Sequence, residues 1–74
     1  MDIFILTFMD GHGPHAFRTE LGAFSTGEKA MAAAEEDAGH SLPWEKYSDK
    51  CPHSALRDGD KKGAFYFTQR MRVQ

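Results

Sequence analysis

A chain of 74 residues has room for one domain, because at this size only about 60% of the unfolded surface can be buried and two cores cannot form. Hydrophobic residues at 41%, charged residues at 27% and an aromatic set of six Phe, two Tyr and one Trp exclude a disordered chain. Nine basic against eleven acidic residues, a net charge of -2, exclude a general field for nucleic acid, and the single cysteine, Cys51, excludes an internal disulfide framework and suits a reducing cytoplasm.

The opening run MDIFILTFMD is too short to span a membrane and carries Asp2 where a signal peptide would carry Lys or Arg, so it reads as a strand of the mature protein. Ile3, Ile5 and Thr7 fall on one face of that strand and Phe4, Leu6 and Phe8 on the other, the pattern of a central strand covered on both sides. DGHGP follows with turn chemistry at Gly11, Gly13 and Pro14, and AFRTELGAF (16–24) returns as a half-exposed strand, completing a hairpin.

STGE reads as a capping box between Ser25 and Glu28, which predicts a helix from about Thr26 to Ala38 closed by Gly39. Ala30, Ala34 and Ala38 form a small-residue stripe with Met31 at its edge, Glu28, Lys29, Glu35 and Glu36 face water, and Ala33 and Asp37 lie on the flank. From His40 to Lys62 the chain is polar and irregular, with PWEKY predicted as one short helical turn under Trp44. GAFYFTQRMRV (63–73) alternates as a third strand, with Phe65, Phe67, Met71 and Val73 on the buried face and Tyr66, Thr68, Arg70 and Arg72 on the other.

The order strand, strand, helix, strand predicts a single α+β domain over residues 1–74. It is a three-stranded antiparallel sheet (ββαβ) with the first strand central, one helix on one face and a long loop before the last strand. One helix cannot cover both faces, so the second apolar face calls for the loop around Trp44 or for a second copy of the chain, and a homodimer is expected.

His12, His15, Cys51 and His53 are the right residue types for a tetrahedral zinc ion, but H-x-x-H with C-x-H is not a signature spacing and loop histidines are usually solvated, so no metal or other cofactor is expected. Cys51 or Ser54 beside His53 lacks the third group that orients a catalytic base, GHG lacks the glycine spacing of a phosphate loop, and no enzymatic activity is expected. Tyr66, Arg70 and Arg72 suggest a small aromatic and basic platform, enough only for weak contact with single-stranded nucleic acid. Glu28, Glu35, Glu36 and Asp37 give the helix an acidic surface that could imitate phosphate charge, and Trp44 and Tyr47 are the aromatic candidates for a partner contact.

The pieces DIFILTF, GAFSTGEKAMAAAEE, LPWEKYSD and GAFYFTQRMRV cover most of the chain. In this order they resemble a loosely defined group of small bacteriophage and bacterial proteins with a strand-strand-helix-strand layout and an AFST-x-EKA helix start. The resemblance implies the fold and a mobile-element origin and transfers no catalytic residue. It leads to the expectation of a non-enzymatic protein of the host cytoplasm that binds and inhibits a host protein or ribonucleoprotein complex, with anti-defence or anti-CRISPR action as its concrete form and no membrane association. The alternative is a symmetric dimer that holds an anionic nucleotide through His12, His15 and Arg57.

Overall fold

Apolar residues on both faces place the first strand, β1 (Asp2–Asp10), inside a sheet, as expected. In the computed structural model residues 1–11, 17–57 and 63–73 are described. β1 is followed by β2 (Phe17–Phe24), α1 (Gly27–Ala38), β3 (Ser54–Leu56) and β4 (Phe65–Arg72). The sheet runs β2-β1-β4-β3 with every neighbour antiparallel.

It therefore has four strands where the sequence predicts three. The added strand is the short β3, which pairs Ser54 with Phe67 and Leu56 with Phe65 inside the stretch expected to be irregular. Three residues carry no readable alternation, and β3 is defined by the free edge that β4 offers it. PWEKY is extended and not helical, because Glu45 exchanges two backbone hydrogen bonds with Ser54 (2.8 and 2.9 Å) and so lies along the outer side of β3.

The α1 cap is shifted by one residue from the expected Ser25–Glu28 box. Thr26 is the extended N-cap residue and its hydroxyl accepts from the Lys29 amide at 3.2 Å, while Ser25 Oγ accepts from Lys29 Nζ at 3.2 Å. Three residues after Thr26 stands Lys29, so the reciprocal carboxylate of a capping box is missing. At the other end Gly39 adopts φ 82° and its amide donates to the Glu35 carbonyl at 2.8 Å, closing the helix where the glycine predicted.

Ala30 and Ala34 are completely buried, and their short side chains bring the helix axis close to Leu6 and Tyr66. Leu42 and Ala55 complete this core, with Phe4, Phe8, Phe24 and Trp44 packed around it. Directly opposed residues share a face of the sheet, and β1 pairs Phe8 with Tyr66, so Tyr66 lies under the helix while Phe65 and Phe67 lie on the far side. This reverses the faces expected for the last strand. Aromatic residues occupy both alternating sets of β4, and only the register against β1 decides which set the helix covers.

Candidate functional site

The face of the sheet away from α1 carries Ile3, Ile5, Thr7 and Met9 from β1, Phe65, Phe67, Gln69 and Met71 from β4, and Ser54 and Leu56 from β3. Arg18, Glu20 and Ala23 continue it onto β2. Among the described residues no helix or second sheet covers this face, and Leu56 and Met71 are 39% and 47% exposed. A cleft of about 400 Å³ crosses it, lined by Met9, Arg18, Tyr47, Cys51, Ser54, Phe65 and Phe67. The Arg18 guanidinium lies 5.9 Å from the centre of the Phe67 ring and 3.9 Å from the Glu20 carboxylate, so one apolar wall of the cleft ends in a cation.

Tyr47 stands at the rim of this cleft, 80% exposed. The turn that presents it is fixed at several points. Glu45 is bonded to Ser54, the Ser48 amide donates to the Cys51 carbonyl (3.1 Å), the Cys51 amide donates to Ser48 Oγ (3.0 Å) and Lys46 pairs with Asp49 (3.2 Å). The Arg70 amide then donates to the Lys50 carbonyl at 2.7 Å, which ties the end of the turn to β4. Beside it Asp2, Asp49, Lys50, Arg70 and Arg72 line a polar groove of about 530 Å³, in which Arg72 lies 3.8 Å from Asp2.

Of the residues weighed for a metal ion or a nucleophile, the described ones, Cys51, His53 and Ser54, are not brought together. His12 and His15 lie outside the described residues. Cys51 and Ser54 line the cleft on the open face, whereas the His53 ring packs against Phe4 (6.1 Å between centroids) and Gly27 on the helix side, so the sheet separates His53 from both. Among the described residues no group of three His, Cys, Asp or Glu side chains is placed to hold a metal ion.

Two of the four acids of the helix surface are used within the chain. Glu35 Oε2 accepts from the Leu42 amide (2.8 Å) and from Trp44 Nε1 (3.2 Å), and Asp37 Oδ2 accepts from the Tyr66 hydroxyl (2.6 Å). Glu28 and Glu36 remain exposed. Trp44 is thus part of the helix-side packing, half-buried, and it does not plug the open face. The aromatic and basic platform also dissolves, since Tyr66 is wholly buried. Arg57 lies over Phe8 at 5.3 Å near the Phe65 end of β4, and Arg70 is five residues further along, roughly 16 Å away.

Of the residues singled out in the sequence for a partner contact, Tyr47 is the one the fold presents at the cleft. Met9, Arg18, Phe65 and Phe67 were not singled out, and the signal that could have found them is the double-sided apolar pattern of β1. No family model matches the chain, and no match is found among curated proteins or solved structures.

Proposed function

We propose that this chain is a non-enzymatic interaction protein that binds and blocks another protein, with Tyr47 at the centre of the contact. The observation that carries this reading is an exposed aromatic ring on a turn held by backbone hydrogen bonds and an ion pair. A tyrosine contributes large contact area with only two side-chain torsions to freeze, and such residues concentrate binding energy. The resemblance to small phage proteins supports a host factor as the target and anti-defence action as the outcome.

A photo-crosslinking amino acid at position 47, incorporated in the producing cell, tests this. One discrete adduct with a different protein, absent when the crosslinker is moved to exposed Glu36, is the expected result. Adducts with no other protein would overturn the reading.

A second reading, capture of a small anion such as a nucleotide, draws on Lys50, Arg70 and Arg72, which share one groove with Asp2 and Asp49. It places the ligand at the opposite end of the sheet from Arg57. Titration with a nucleoside triphosphate should then shift the amide resonances of Lys50 and Arg70 in the wild type and not in Arg70→Gln, and unchanged spectra would dismiss it.

A further inference from the structure

We infer that the outer edge of β2 joins a second copy of this chain, strand against antiparallel strand, in a two-fold dimer whose sheet runs on from one copy into the other. The inference is independent of the reading centred on Tyr47, whose cleft stays open in such a dimer, and a different experiment tests it.

The two edges of the sheet are finished differently. On one, β3 covers the start of β4, and Glu45 in turn bonds to Ser54 on the outer side of β3. Past β3, the Thr68 and Arg70 amides of β4 donate to the carbonyls of His53 (2.9 Å) and Lys50 (2.7 Å). On the other edge, among the described residues, no backbone group pairs with the outer side of β2 along its eight residues. An extended edge of this kind is a template for another strand.

A second copy is the occupant because the edge complements itself. Antiparallel pairing about an axis that passes through Thr19, perpendicular to the sheet, sets Phe17 opposite Leu21 of the other copy and Arg18 opposite Glu20. The bulge at Leu21 ends the straight run, which limits the pairing to Phe17–Leu21. Phe17 is 67% exposed and lies on the helix side of the sheet, since it pairs with Asp10. Leu21 packs on the same side, and with Ala33, Glu36 and Asp37 of α1 it lines a groove of about 360 Å³. Opposed residues of an antiparallel pair share a face, with Cβ atoms about 5 Å apart. The register therefore sets each exposed Phe17 ring at the mouth of the other copy's groove. Ring and groove are on one chain, which is the condition for a dimer that closes on itself.

Charge selects the same register. Arg18 and Glu20 stand 3.9 Å apart within one chain, beyond hydrogen-bond reach, and across the axis each position faces the opposite sign. Moving the axis by one residue, onto Arg18 or onto Glu20, sets that residue against its own copy, and like charges directly opposed are destabilising. It also takes Phe17 away from Leu21.

Sedimentation of the untagged full chain over a range reaching about 100 μM tests the inference, with the mass expected to rise with concentration from 8.3 kDa towards twice that value. Arg18→Glu sets a carboxylate opposite Glu20, and Glu20→Arg sets a guanidinium opposite Arg18. Symmetry doubles each clash, so each variant alone should dimerise at least about tenfold more weakly. Mixed in equal amounts, the two variants should associate with each other about as tightly as the wild type does, which the loss of a pair within one chain cannot produce. Phe17→Ala should weaken the dimer about tenfold, whereas Leu56→Lys, on the open face, should leave it intact. Should a variant lose the wild-type circular dichroism spectrum, isotope-filtered NOEs between the Phe17 ring of one copy and the Leu21 or Ala33 methyls of another serve in its place. A monomer at every concentration, charge variants that do not associate on mixing, a dimer that survives Phe17→Ala, one that Leu56→Lys dissociates, or a dimer without those NOEs would overturn it.

Discussion

His53 Nε2 occupies the place where a side chain at Gly27 would begin. A Cβ built on Gly27 would lie 2.3 Å from that nitrogen, closer than any real contact. Gly27 is the first residue of α1 and is buried, so the missing Cβ is what leaves room for the His53 ring against the start of the helix.

Gly27→Ala is therefore expected to destabilise the fold by about 1–3 kcal/mol through overpacking, despite alanine's stronger helix propensity. Adding His53→Ala should return most of that loss, since it empties the space the new methyl needs. Urea unfolding of the four chains of the cycle checks this, and a strictly additive result would contradict the contact.

Glu35 connects the helix to residues 42–44 through one carboxylate oxygen. Its replacement by alanine leaves the Leu42 amide and the Trp44 indole N–H without their acceptor, at an expected cost of about 2 kcal/mol. Trp44 is the only tryptophan, so its fluorescence should shift to the red as the indole gains water, and Glu35→Gln should shift it less.

Tyr66 buries its ring beneath the helix, 5.0 Å from Phe8 between centroids, and delivers its hydroxyl to Asp37. Tyr66→Phe keeps the packing and removes that charge-assisted bond, which predicts a loss of about 1–3 kcal/mol in thermal or chemical unfolding. Asp37→Ala leaves the buried hydroxyl without this acceptor and should cost at least as much.

Thr7 and Thr68 are completely buried, and neither hydroxyl has a hydrogen-bond partner among the described residues. Valine has nearly the same shape without the polar atom. Thr7→Val and Thr68→Val should each stabilise the chain by about 1 kcal/mol, and the two gains should add, because the side chains lie on opposite faces of the sheet.

The parts of this fold that were readable in the sequence are those decided by near neighbours. Gly39 ends α1, Ala30 and Ala34 sit one helical turn apart, and the two apolar sets of β1 announce an inner strand. What could not be read depends on distant partners. Tyr66 and Phe67 are equally good candidates for the core until the register with Phe8 and Thr7 is known. Glu35 and Asp37 look like solvated acids because their partners lie seven, nine and 29 positions away. The same holds for the site: Tyr47 stands out by its residue type alone, whereas Arg18 acquires its place beside Phe67 only when β2 and β4 flank β1.

The two inner strands are far apart in sequence, with Asp2 opposite Arg72, Met9 opposite Phe65, and the Val73 amide bonded to the Met1 carbonyl at 2.7 Å. The central ladder is thus built almost wholly from contacts between residues far apart in sequence, which slows folding relative to a helical domain of equal length. During synthesis β1 emerges before β4 and must wait, apolar on both sides, until residues 65–72 have left the ribosome. The hairpin with β2 and the docking of α1 shield one of its faces in that interval, and a nascent chain stalled before β4 exposes the other to chaperones and proteases.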